Sequence, residues 1–229
     1  MTKKRRTPIA INKIAEPELP DPGPNDWIVG QDLEAGELYS DMVISDQDFG
    51  GQSATRVAIR RARISNVKAV AAVLKFSNLA DLRLDRCDFA NVDFYGASLK
   101  RIEIADCRMT GVRLNEVEIS DAAIEGSKFD LAQFRSSSLK DCRFVNCDLR
   151  EADFYEAALS GIVFSSCDLR GAQFCGANLK GTDFRGSQLE GMQCRAENLA
   201  GAIIDTVQVV GLARDFANIL GLKVNDPQE

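Results

Sequence analysis

The chain has 229 residues, is 45% hydrophobic and 27% charged, and carries a formal net charge of −6. That is a globular composition, and no run of about eighteen apolar residues offers a membrane-spanning helix. Histidine is absent and the seven cysteines lack CxxC spacing, which excludes Ser-His-Asp and Cys-His sets, an HExxH zinc site and any imidazole base, and leaves no metal, redox or cofactor motif.

Residues 1–25 begin with Lys3, Lys4, Arg5 and Arg6, turn proline-rich and show no period. They are expected to form a disordered, solvated tail. A basic start without an apolar stretch behind it is no secretory signal, so the expected location is the cytoplasm. Residues 26–43 form the next expected unit, an irregular first coil or cap. Ile28, Leu33 and Leu38 are five apart but one residue out of phase with the register that begins at Ile44, and Trp27 and Tyr39 are expected to plug the end. Asp26, Asp32, Glu34, Glu37 and Asp41 make this stretch acidic.

Residues 44–205 hold the main signal. From Ile44 to Ile204 every residue whose number ends in 4 or 9 is in register, and thirty of those 33 positions are Leu, Ile, Phe or Met. The exceptions are Ala54, Ala69 and Cys194. Five residues fit neither an α-helix, which turns by about 100° per residue, nor a flat strand, which alternates faces. The chain must turn a corner once per five residues so that each bulky side chain points to a shared axis. Two places before each bulky residue sits a small one, such as Ala97, Ala132, Ala152 or Ala177, and the positions between are polar, such as Asp88, Asp148 and Asp168. Large and small residues thus alternate inside, as a closely packed interior requires. Gly171, Gly176, Gly181, Gly186 and Gly191 fall just before the small position, where a tight corner is expected.

The stretch ADFYEAALSG and the run CDLRGAQFCGANLKGTDFRG resemble the A(D/N)LxX motif of pentapeptide-repeat proteins. The resemblance implies an all-β fold: a right-handed quadrilateral parallel β-helix of four pentads per coil, here about eight coils. Residues 20 apart then stack in columns. Phe144, Phe164 and Phe184 share one column, and Phe134, Phe154 and Phe174 the opposite one. Cys87, Cys107, Cys147 and Cys167 share a column at the small position, which points to small buried hydrophobes; Cys175 is expected to face outward.

Residues 206–222 read as an amphipathic α-helical cap, with Val209, Leu212, Phe216 and Leu220 on one face, Asp205 or Thr206 as N-cap and Gly221 as the stop. It is expected to cover the last coil or to join two copies into a homodimer. Residues 223–229 are a short tail.

Function on such a rod lies on its outside. Catalysis is not expected: the Asp88, Asp148 and Asp168 column occupies the position where the repeat itself asks for Asp or Asn, and a filled rod offers no pocket. Val73, Phe76, Tyr95 and Tyr155 are expected on one outer wall as a protein-binding patch. Arg56, Arg60, Arg61, Arg63, Lys68 and Lys75 form a basic belt without an acid from Gly50 to Ala80. Winding spreads that belt around the rod, so direct nucleic-acid binding is disfavoured. The resemblance implies a bacterial, non-catalytic scaffold for a protein partner. Its alternative is a DNA mimic that binds DNA gyrase or topoisomerase IV and inhibits or protects it. Mimicry asks for a long negative face, whereas residues 42–205 balance 21 bases against 23 acids.

Overall fold

A bulky residue at every fifth position needs a backbone that bends sharply once per pentad. The computed structural model describes residues 14–21, 31–214, 217 and 220–223. In it the bends are made by residues in the left-handed region. Most positions ending in 1 or 6 have positive φ, with values of 50° to 59° where the residue is not Gly. Asp and Asn tolerate this region, Gly prefers it, and other side chains adopt it at a cost. The glycines near the C-terminal end mark these corners in the sequence. The structure makes the same turn at Arg56, Phe76, Leu131 and Ser136 as well.

The strands are β1 (Leu38–Ser45), β2 (Ala58–Ser65), β3 (Asn78–Asp85), β4 (Ser98–Ala105), β5 (Glu118–Glu125), β6 (Ser138–Val145) and β7 (Val163–Ser165). They form one parallel sheet in chain order. Ile44 pairs with Ile64 and Ile64 with Leu84, a step of 20 residues per coil. Isolated parallel bridges carry that step around the other walls, from Asp48↔Lys68 to Asp183↔Ile203. The fold is a right-handed quadrilateral β-helix. Four walls succeed one another: the first carries Ile44, Ile64 and Leu84 inward, the second Phe49, Ala69 and Phe89, the third Ala54, Leu74 and Phe94, and the fourth Ile59, Leu79 and Leu99.

The interior is filled. Leu139 and Phe154 are both buried. Phe134, Phe154 and Phe174 stack with centroid separations of 4.7 and 5.0 Å, and Phe144, Phe164 and Phe184 at 5.1 and 5.4 Å. Across the axis the two stacks meet edge to face, at 6.5, 6.0 and 5.6 Å. Ring quadrupoles favour that arrangement. A void of about 30 Å³ lies where Leu and Ile give way to Phe, between Leu84, Ile104, Phe129 and Phe134. It is lined by apolar side chains alone.

The ends depart from the expected pattern. Tyr39 pairs with Ile59 in the regular register, and Leu38 is 56% exposed. The regular coil thus starts one pentad before Ile44, and Leu38 faces outward rather than inward. Gly36, with φ of 78°, makes the turn that leaves Leu33 buried. Trp27 and Ile28 lie outside the described residues. Residues 14–21, expected within a disordered tail, lie against the solenoid, where Pro20 is buried. At the other end, Asp205 is the N-cap of α1 (Thr206–Gly211), and Ala213, Arg214 and Ala217 are helical beyond it.

Candidate functional site

The aspartates beside the central residues serve the turns. Asp88, Asp93, Asp148, Asp153, Asp168 and Asp183 each accept a hydrogen bond from the main-chain N–H two residues on, at 2.9–3.2 Å. This is the local Asx geometry that short acidic side chains favour. Arg150 clamps Asp148 with two nitrogens at 2.8 and 2.6 Å, Arg170 clamps Asp168 at the same distances, and Arg185 holds Asp183 at 2.8 Å. These guanidinium hydrogen bonds hold the Asp148 and Asp168 carboxyls below the usual carboxylate range. Both carboxylates are therefore ionised and engaged, a poor arrangement for proton transfer at neutral pH. The D-x-R spacing of Asp148, Asp168 and Asp183 with their arginines was legible in the sequence.

The cysteines at the small position are buried: Cys87, Cys107, Cys142, Cys147 and Cys167 are free thiols, and Cys175 and Cys194 are half-buried. Burial pushes the Cys142 thiol up to about 12. A hydrogen bond with the neighbouring thiol, together with burial, pushes Cys107 and Cys147 up as well. Such thiols are poor nucleophiles. Among the described residues no group of three His, Cys, Asp or Glu side chains is placed to hold a metal ion, and no helix is long and apolar enough to cross a membrane.

On the third wall and the corner after it, the structure joins two of the four patch residues. The rings of Phe76 and Tyr95 meet edge to face at 5.5 Å. Phe76 is 48% exposed at a corner with φ of 57°. Its ring lies over Gly96, where an added Cβ would come within 2.7 Å. Arg56 stands 5.7 Å from the Phe76 centroid, and the Tyr95 hydroxyl donates to Glu116 Oε2 at 2.7 Å. That bond raises the tyrosine pKa. A cation, two aromatics and an anion thus line up in sequence along the rod. Val73 is half-buried on the same wall, in register between Ser53 and Asp93. Tyr155 is not part of this cluster. It lies three coils on, under Arg135 at 4.9 Å.

The basic belt is dispersed. Arg56 covers Phe76, Arg61 pairs with Asp41 at 2.7 Å, Lys75 pairs with Asp93 at 3.2 Å, and Arg63 donates to Pro20 O at 3.1 Å. Arg60 is exposed on the fourth wall and Lys68 on the second.

The cap also differs from its expected face. Leu212 is buried, whereas Val209 and Leu220 are exposed; Phe216 lies outside the described residues. Gln208 docks beside Leu212, and sequence reasoning missed it because a polar residue does not score on an apolar face. Its amide donates to Phe184 O and Ser187 O at 2.6 and 2.7 Å. Shallow clefts open between the described residues. One, of about 330 Å³, lies between α1 and the last coil, and one of about 230 Å³ lies on the first wall between Arg83, Glu103, Ala123 and Arg143.

A family model described as a pentapeptide repeat region matches residues 117–194, and one described as pentapeptide repeats (8 copies) matches residues 70–102. Similar solved structures include HetL of the cyanobacterium Nostoc sp., a pentapeptide repeat protein involved in heterocyst differentiation regulation. It is 16% identical over 77% of this chain and 90% of that one, with a TM-score of 0.40. Full-length QnrB1, a plasmid-mediated fluoroquinolone resistance protein, is 19% identical over 83% of this chain and 97% of that one, with a TM-score of 0.43. No curated protein matches the chain.

Proposed function

The chain is a pentapeptide-repeat protein, and from that premise we propose that it is a non-catalytic, rigid scaffold whose third wall docks a protein partner on Phe76 and Tyr95. The carrying observation is Phe76 itself. A half-exposed phenylalanine occupies a left-handed corner that Asp, Asn or Gly fills at lower cost elsewhere on the rod. Exposed aromatics with an arginine beside them are the composition of interface centres. Arg56 and Glu116 flank the rings, so the matching partner surface is an apolar knob between an acidic and a basic group. The same reading keeps the protein in a bacterial cytoplasm. It also makes the exposed Val207, Val209 and Val210 of α1 a homodimer contact, which sedimentation of wild type against Val207→Asp tests.

The DNA-mimic reading is less well supported. Arginines answer the aspartates along the walls, at Asp81, Asp93, Asp148, Asp168 and Asp183, and such mixed walls lack the continuous negative field that mimicry needs. The test places a photo-crosslinking amino acid at Val73 and, as control, at Lys128 on the second wall. A discrete protein adduct from position 73 alone is the expected result. Equal adducts from both positions overturn the reading, and inhibition of gyrase supercoiling by the purified chain would favour mimicry instead.

A further inference from the structure

Residues 14–21 read IAEPELPD. They have no helical or strand pairing. Ile14 and Pro17 are half-buried and Pro20 is buried, three residues apart, with Leu19 half-buried beside Pro20; Ala15, Glu16, Glu18 and Asp21 are exposed. A period of three with prolines is the signature of a polyproline II helix. This strap runs across the coils, along the corner between the fourth and first walls. The Ala15 N–H donates to Asp121 Oδ1 at 3.2 Å, the Glu18 N–H donates to Asp81 Oδ1 at 3.0 Å, and Pro20 O accepts from Arg63 Nε at 3.1 Å.

The two lattices are commensurate. Asp81 lies in β3 and Asp121 in β5, two coils apart, which is ~9.6 Å at the usual strand spacing. Three polyproline II residues rise ~9.3 Å. The step from the Ala15 N–H to the Glu18 N–H therefore matches the step from Asp121 to Asp81, two positions apart along the corner. The corner itself alternates in sign through Asp41, Arg61, Asp81, Arg101 and Asp121, with Arg61 on Asp41 at 2.7 Å and Arg101 on Asp81 at 2.5 Å. Each guanidinium holds its carboxylate in place while one oxygen of Asp81 still receives the strap. Charge is complementary as well. The strap carries Glu16, Glu18 and Asp21, and the corner and its flanks carry five bases, Arg60, Arg61, Arg63, Lys100 and Arg101, against three acids, Asp41, Asp81 and Asp121. Recognition runs through main-chain groups and proline rings, so the track selects a conformation and a charge rather than one sequence.

We propose that this corner is a docking track for acidic, proline-punctuated polyproline II segments, and that residues 14–21 are its intramolecular occupant, displaced by such a segment of a partner protein. The track lies on a different corner from Phe76, so this surface stands or falls independently of that wall.

The probe is a synthetic, fluorescent IAEPELPD peptide, and the host is the full-length chain. Ala15→Pro/Glu18→Pro removes both strap donors while keeping an extended backbone. By freeing the track it is expected to bind the peptide about ten-fold or more tighter than wild type, because a track that is mostly occupied binds in proportion to its free fraction. Adding Asp121→Ala to that variant is expected to weaken binding several-fold. In the wild-type chain, excess peptide is expected to speed hydrogen exchange at the amides of Ala15 and Glu18, which needs no substitution in the host. Equal affinity for wild type and the released variant, no binding to either at millimolar peptide, or exchange unchanged by peptide would each overturn the proposal. A wild-type dimer that dissociates in the Ala15→Pro/Glu18→Pro variant would overturn the intramolecular assignment, since the strap would then be exchanged between copies.

Discussion

The side-chain amide of Gln208 donates to the main-chain oxygen of Phe184 at 2.6 Å, a carbonyl of the last wound region of the rod. A solenoid end leaves such groups without a further coil to pair with, and they must find other partners. Asp205 completes the device: it caps α1 by accepting from the Gln208 N–H at 3.0 Å, and it accepts from the Gly186 N–H at 2.9 Å. Gln208→Leu is expected to lower stability by about 1–3 kcal/mol, because it removes the bonds to Phe184 O and Ser187 O, of which Phe184 O keeps only the Ser187 N–H at 3.0 Å. Thermal melts measure it, and hydrogen exchange should quicken first in residues 184–204.

The phenylalanine stacks make a second expectation. Phe154 is sandwiched between Phe134 at 4.7 Å and Phe174 at 5.0 Å. Phe154→Ala is expected to cost about 3–5 kcal/mol. Phe154→Leu restores volume but forfeits the ring contacts, worth about 0.5–1.5 kcal/mol each. Denaturant unfolding of the two variants should place Phe154→Leu between wild type and Phe154→Ala.

Acid should weaken the strap corner. The hydrogen bond from Arg101 holds the Asp81 carboxyl below the usual carboxylate range, and the Glu18 N–H adds to it. Because the folded pKa lies below the unfolded one, this group's contribution is full above the unfolded value of about 4 and is lost as pH falls through the folded pKa. Melting of wild type and Asp81→Asn from pH 7 to 2 should show a gap that is constant near neutrality and closes below pH ~4. A gap that widens in acid contradicts the assignment.

Much of this was readable. The five-residue register gave the coil, both phenylalanine columns and the buried cysteines, because each depends on one local rule repeated without interruption. The ends were not readable in the same way. Leu38 keeps a five-residue spacing from Leu33, yet Tyr39 takes the inward place, since the one-residue slip falls between Leu33 and the in-phase corner at Gly36 and no composition rule announces it. Gln208 docks through polarity, which a search for apolar faces overlooks. The strap eluded sequence reasoning because its partners, Asp81 and Asp121, are distant in the chain and lie on an outer corner rather than in the core. Phe76 and Tyr95 fall on neighbouring coils by spacing, and their rings meet at 5.5 Å. Tyr155 shares their wall but lies three coils away, which spacing alone does not weigh.

Thiol access gives a simple check of the columns. Iodoacetamide should label Cys175 and Cys194 in the folded chain and leave Cys87, Cys107, Cys142, Cys147 and Cys167 unlabelled until denaturant is added, since these five are buried. Mass spectrometry of the labelled peptides reads the result.

Partner capture by the Phe76→Asn chain, measured beside wild type, goes most directly to whether the corner aromatic exists for docking. Asparagine suits the left-handed corner and regains about 1 kcal/mol, which offsets the lost ring contact of about the same size. The melting temperature should therefore stay within about 5 °C. Captured protein should fall about ten-fold or more, the loss of an interface hot spot. Capture unchanged from wild type, in a variant that folds normally, would contradict the docking role of Phe76.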